Sequence, residues 1–150
     1  MSIINNHINR YMLAFFACIS SACAPVKILN SLVPETSYQL ISATAYGTNN
    51  RQKLDIYLPK VNPKDNAGQT TKALKKVVIF YYGGNWDSGD RADYKFVGEA
   101  LTAQGFIVVI PDYRVYPEVL FPEFMADPAS AAKWVKDNIN QYGGDANKVF

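Results

Sequence analysis

Lys75-Lys76-Val77-Val78-Ile79-Phe80-Tyr81-Tyr82, followed at once by Gly83-Gly84-Asn85-Trp86, is the most informative run in this 150-residue chain. From Val77 onward it is continuously apolar, β-branched or aromatic, and of strand length. That is the pattern of a strand buried on both faces. Phe106-Ile107-Val108-Val109-Ile110 repeats the pattern. Between the two, residues 91–103 carry Phe96, Val97, Ala100 and Leu101 at helical spacing, and Gly105 marks a stop. Buried strands alternating with helices predict an α/β fold, a parallel sheet covered on both faces and built from right-handed crossovers.

Upstream, residues 38–46 and 52–58 read as an antiparallel hairpin turned by Gly47, Asn49 and Asn50. In the second strand Leu54, Ile56 and Leu58 are expected on a core and Lys53, Asp55 and Tyr57 towards solvent. Residues 59–73 are polar, with two prolines and a glycine, and read as a surface loop. Downstream, Asp127 and Pro128 form a helix-start signal with the carboxylate as N-cap. Ala132, Val135, Ile139 and Tyr142 then mark one helical face, and Gly143-Gly144 its end. Lys148-Val149-Phe150 opens another strand. A sheet that stops as its next strand begins reads as the first half of a larger domain. Cut there, strand 75–82 is expected to lose a neighbour and expose an aggregation-prone edge.

Fifteen Lys and Arg against thirteen Asp and Glu leave a formal charge of +2, scattered along the chain. That excludes a nucleic-acid footprint. Two cysteines exclude a disulfide framework and a four-cysteine zinc site, and no cofactor or metal is expected. The single histidine is His7. It stands in a segment that reads as an address. Residues 1–10 end in Arg10, Tyr11 to Ala22 form an apolar run, and Ser20, Ser21 and Ala22 lead into Cys23. The run is shorter than the about 20 residues needed to span a bilayer and suits a signal peptide over 1–22. It resembles a bacterial lipoprotein signal. Cys23 would then carry lipid, 23–37 would be a tether, and the protein would sit in the bacterial cell envelope on the periplasmic or outer-membrane side, with the membrane as partner. The alternative is an N-terminal helix packed on the body with Cys23 buried.

The glycine pair at 83–84 stands where a buried strand leaves the sheet, which is where open α/β sheets bind ligands. Adjacent glycines let amides approach a ligand closely. Amides aimed at one point stabilise an oxyanion developing during acyl transfer. Two other readings stay open for the loop alone, a tight turn and a phosphate cradle, though neither phosphate-binding glycine signature is present. Asp87, Ser88, Gly89 and Asp90 lack the spacing of a calcium loop.

Taken with Leu54-Asp55-Ile56-Tyr57-Leu58-Pro59, Pro111-Asp112-Tyr113-Arg114, Phe121-Pro122-Glu123-Phe124, Asp127, Trp134-Val135-Lys136-Asp137-Asn138 and Gly143-Gly144-Asp145, the loop resembles the α/β-hydrolase superfamily. The similarity is to its carboxylesterase-like group with a His-Gly-Gly-x-Trp loop. The resemblance runs from about Tyr46 to Phe150 and implies a serine hydrolase of ester or amide substrates acting through an acyl-enzyme. It assigns the oxyanion hole to the Gly83 and Gly84 amides and places Asn85 and Trp86 at the substrate pocket, although Trp86 reads equally well as a core aromatic. Tyr82 stands where the family usually has histidine. The family's Gly-x-Ser-x-Gly elbow, acid and histidine do not occur among these residues, so the chain as given is expected to be inactive. Asp112 and Arg114 read as structural ion-pair members, with each other or with a neighbouring loop, and Glu118, Glu123 and Asp127 as a possible carboxylate set. The competing function is a non-catalytic envelope lipoprotein that uses a hydrolase half fold for binding.

Overall fold

The computed structural model describes residues 24–34, 36–60 and 73–150. The chain divides into two compact units, Met1–Leu32 and Val33–Phe150. The described part of the first is helix α1 (Ala24–Ser31), whose last turn is closed by the Ser31 hydroxyl donating to the Ile28 carbonyl at 2.7 Å. This helix falls within the stretch read as a tether. The signal peptide at 1–22, Cys23, and residues 61–72 of the expected loop lie outside the described residues.

The second unit is built on one mixed sheet: β1 (Tyr38–Ala45), β2 (Lys53–Pro59), β3 (Lys75–Ile79), β4 (Ile107–Pro111) and β5 (Gly144–Val149), in the order β1-β2-β4-β3-β5. β1 and β2 form the expected hairpin, β2 joins β4 antiparallel, and β3 runs parallel to both β4 and β5. Helix α2 (Lys95–Ala103) follows a 3-10 turn at Arg91–Tyr94, and helix α3 (Ala126–Asn138) leads into a second at Ile139–Tyr142. One sheet face packs Tyr57, Val108 and Ile110 with Tyr82, Tyr113 and Leu101 of α2. The other packs Leu54, Ile56, Val77 and Val109 with Val135 of α3 and Ile139. All five residues of β4 are buried, as an apolar run covered on both sides requires.

Several expectations need correction. In β2 the expected solvent face is buried, with Asp55 4% and Tyr57 0% exposed. β2 lies between β1 and β4 and α2 covers its second face, so alternation does not mark a wet side. A Cβ at Gly98 of α2 would stand 2.6 Å from the Tyr57 ring, so only glycine lets the helix approach so closely. The buried positions of α2 are accordingly Gly98 and Thr102, while Ala100 is exposed. In α3 the buried line is Asp127, Ala131, Val135 and then Ile139, one step from the expected Ala132. Gly143 closes the turn after α3, and Gly144 already belongs to β5.

The β3 ladder ends at Ile79 rather than Tyr82, although the Phe80 amide still donates to the Val109 carbonyl at 2.8 Å. Nor is β3 left without its neighbour. The Ile79 amide donates to Phe150 and the Phe150 amide to Val77, at 2.8 and 3.0 Å, so both its sides are paired there. Parallel pairing of β3 with β4 brings both chain exits to one sheet edge, and the candidate site forms there.

Candidate active site

Leaving β3, the backbone passes through Tyr82, which is buried, and emerges at Gly83, which is exposed. Three successive positive φ angles follow: Gly84 at 147°, Asn85 at 51° and Trp86 at 64°. Such geometry persists in non-glycine residues only where surroundings enforce it. Here the Gly84 carbonyl accepts from the Asp87 and Ser88 amides at 3.0 and 3.3 Å. The Trp86 carbonyl accepts from the Tyr116 amide at 2.7 Å. The Trp86 ring stacks on Phe124 at 4.6 Å and tilts against Tyr113 at 5.0 Å. Trp86 thus serves as half-buried core and as cleft wall together. Residues 82–86 and Tyr113 line an open cleft of about 450 Å³. Among the described residues the Gly83 and Gly84 amides make no hydrogen bond within the protein. They remain available to an anion.

Tyr82, standing where histidine was expected, is anchored from its side chain. Its hydroxyl donates to Asp112 Oδ1 at 2.6 Å and accepts from Arg51 Nη2 at 3.3 Å. Burial first, and then the hydrogen bond and charge of Asp112, push the phenol far above its ordinary value, so it stays a proton donor. Its ring lies between Tyr94 at 5.2 Å and Tyr113 at 4.9 Å. Arg51 also reaches the Tyr113 and Gly89 carbonyls, both at 2.8 Å, and so ties the two ends of the loop to the β1–β2 turn. Arg91 bridges Asp112 and Asp55, the latter through Nε at 2.8 Å. Asp55 in turn accepts the Ala43 amide, at 2.8 Å, where the β1 register breaks. Arg51, Arg91, Asp55 and Tyr113 are the support that sequence reasoning did not assign. A charged residue at 55 between two core positions was its one visible signal.

The ion-pair expectation holds, in its second form: Asp112 and Arg114 pair with neighbouring segments and not with each other. Asp112 pairs with Arg91, and Arg114 with Asp127 at 2.8 Å. Asp127 is therefore not an N-cap: α3 begins at Ala126, and the carboxylate is buried against Arg114 and Gln52. No carboxylate set forms. Glu118 is exposed and accepts from Asn49, Glu123 is exposed, and the Asp127 carboxylate is taken up by Arg114 and Gln52. In the Asp87–Asp90 segment, which lacks calcium-loop spacing, Asp87 accepts from the Ser88 hydroxyl and Asp90 caps the Arg91–Tyr94 turn.

The family described as BD-FAE matches residues 54–150, which takes in β2, the glycine loop, both helices over the sheet and β5. The chain is a BD-FAE protein. Over 114 residues it is 32% identical to a probable isoprenylcysteine alpha-carbonyl methylesterase of Arabidopsis thaliana, covering 76% of this chain and 25% of that one. Over 105 residues it is 35% identical to esterase LipC of Mycobacterium tuberculosis, covering 69% of this chain and 24% of the other. This BD-FAE chain therefore spans about a quarter of the length of those relatives. Esterase B of Lactobacillus rhamnosis, solved with a tributyrin phosphonate inhibitor, superposes with a TM-score of 0.68 at 25% identity. The match covers 93% of this chain and 44% of esterase B. The fold is that of the α/β-hydrolase carboxylesterases, of which the BD-FAE chain spans a part.

Gly84→Ala tests the loop directly. At φ 147° a side chain is strained, and a Cβ there would stand 2.3 Å from the Ser88 carbonyl oxygen. The loop is expected to rebuild, read as a changed Trp86 emission in a Trp134→Phe background. Unchanged emission and unchanged 82–88 amide signals would show that the turn tolerates a side chain.

Proposed function

We propose that residues 82–86 form the oxyanion hole of a serine carboxylic ester hydrolase. The observation that carries this is the pair of unbonded amides at Gly83 and Gly84, presented at the carboxyl end of β3 by a loop fixed on both sides. As a nucleophile adds to an ester carbonyl, negative charge gathers on its oxygen, and two preset amides stabilise that charge without reorganising. Losing one such donor typically removes about 3–4 kcal/mol of transition-state stabilisation. Asn85 and Trp86 then wall the small-molecule ester or amide substrate. The nucleophile, acid and histidine are assigned to polypeptide outside these 150 residues. Their only histidine is His7, and none of their serines stands in Gly-x-Ser-x-Gly. The esterase relatives and the phosphonate-inhibited neighbour support the class.

By itself the chain is expected neither to hydrolyse p-nitrophenyl esters nor to label with a fluorophosphonate. An alkyl phosphonate titrated into the 15N-labelled chain should nevertheless move the Gly83 and Gly84 amides together. Stoichiometric fluorophosphonate labelling would place a nucleophile within the chain and overturn the division of labour. A titration that leaves residues 82–86 unmoved would overturn the oxyanion reading.

The same proposal places the protein at a bacterial envelope membrane through lipid on Cys23, supported by the order of basic flank, apolar run and small-residue exit before that cysteine. Labelled fatty acid should enter the wild type and not Cys23→Ser. An intact, unlabelled N-terminus would rule the anchor out.

A further inference from the structure

We infer that Tyr113 is the positioning residue that turns the Gly83 amide into the cleft; this rests on the oxyanion reading above. A trans peptide is planar, and its C=O and N–H point in opposite directions. The Tyr82–Gly83 peptide is trans, and its carbonyl oxygen accepts the Tyr113 hydroxyl at 2.6 Å in a buried setting. The Gly83 N–H is therefore turned away from the interior. Gly83 is exposed, its amide finds no acceptor among the described residues, and nothing beyond its chain neighbours lies within 4 Å of where a Cβ would stand.

The clamp is itself rigid. The Tyr113 ring lies against Tyr82 at 4.9 Å and Trp86 at 5.0 Å, and its own carbonyl is held by Arg51 Nε at 2.8 Å. Downstream, the Gly84 carbonyl is fixed by the Asp87 and Ser88 amides. The Gly83–Gly84 peptide hangs between these two anchors. Without the Tyr113 hydroxyl the Tyr82–Gly83 peptide can rotate, because glycine resists rotation least. A rotated peptide presents a carbonyl oxygen to the cleft and repels the anion that the amide attracts. Tyr113 thus acts through the Gly83 amide and not on the reacting atoms.

The test compares Tyr113→Phe with Tyr46→Phe, whose hydroxyl donates to the Asp112 carbonyl at 2.6 Å, in the 15N,13C-labelled chain, each titrated with an alkyl phosphonate. Both variants keep the ring and lose a hydroxyl that donates to a backbone carbonyl at 2.6 Å, so a merely structural role predicts similar effects. Positioning predicts that Tyr113→Phe alone shifts the Tyr82 carbonyl and Gly83 amide signals. It also predicts phosphonate binding weakened by about three- to tenfold, the worth of one hydrogen bond. If Tyr113→Phe does not fold, 3-fluorotyrosine at 113 carries the same test, because it keeps the ring and alters the strength of donation; the Tyr82 carbonyl signal should then move. A Gly83 signal indifferent to Tyr113→Phe, or moved equally by Tyr46→Phe, overturns the inference. A Gly83 signal that moves as expected while phosphonate perturbs neither protein overturns the oxyanion reading instead, so the two failures are told apart.

Discussion

Asp127→Ala is expected to destabilise the fold by about 2–3 kcal/mol, less than for a fully buried ion pair because the Arg114 side chain is 27% exposed and can reach water. Asp127 is 1% exposed and accepts four donors: the Arg114 amide, Nε and Nη2, and Gln52 Nε2, each within 2.9 Å in its shortest contact. It also lies in the first turn of α3, where a negative charge is favoured. Alanine would leave the Arg114 guanidinium, the Arg114 backbone amide and the Gln52 side-chain amide without their acceptor. The pH dependence gives a second check. Burial alone would raise this carboxyl, but hydrogen bonds from Arg114 and Gln52, with the Arg114 charge, outweigh it and hold the pKa below the ordinary 3.8. A carboxyl depressed on folding contributes its stability above its unfolded pKa, and that contribution fades as pH falls through the folded value. The gap between wild type and Asp127→Asn in urea melts should therefore be full at about pH 7 and shrink below about pH 4. A deficit under about 1 kcal/mol for Asp127→Ala, or a gap indifferent to acid, would mean that Arg114 finds another partner.

Asp127 also shows where the sequence misleads. Asp-Pro at a helix start is a strong local capping signal, and here a cation thirteen residues upstream outbids it. Local rules see neighbours along the chain and not across it. The same blindness hid the pairing of Asp55 and Asp112 with Arg91, and the role of Gly98, which along the chain reads only as a weak helix residue. What was legible was what burial writes on consecutive residues. β4 is buried throughout and β3 has no exposed residue from Val77 to Ile79, so their runs show little polar interruption, and two such runs separated by a helix leave few topologies. The end of β3 was less legible, because Tyr81 and Tyr82 prolong the apolar run after the ladder has stopped. The glycine pair could be found because amide chemistry at a strand end needs it. Tyr113 could not be distinguished as a support, since a carbonyl partner 31 residues away leaves no mark in sequence.

Tyr57 should give opposite answers to two substitutions. Its side chain is fully buried, lies 5.2 Å from the Tyr38 ring and sits directly beneath Gly98 of α2. Tyr57→Ala would open a cavity between sheet and helix and is expected to cost about 3–5 kcal/mol, as large aromatic truncations do. The hydroxyl is another matter. It is buried and has no hydrogen-bond partner among the described residues. A buried unmatched polar group carries a desolvation penalty of about 1–3 kcal/mol, so Tyr57→Phe is expected to hold stability level or raise it by about 1 kcal/mol. Thermal or urea melts of both variants decide the point, and a Tyr57→Phe loss above about 1 kcal/mol would reveal a partner for the hydroxyl. Gly98 supplies an independent check on the same contact. Gly98→Ala alone would press a methyl into the Tyr57 ring and is expected to destabilise by about 1–3 kcal/mol despite alanine's better helix propensity. Combined with Tyr57→Ala, the added methyl meets a cavity instead of a ring, so the two losses should add to less than their sum. Strict additivity would mean that α2 does not rest on Tyr57, and the second layer of the fold would then be held by something other than this contact.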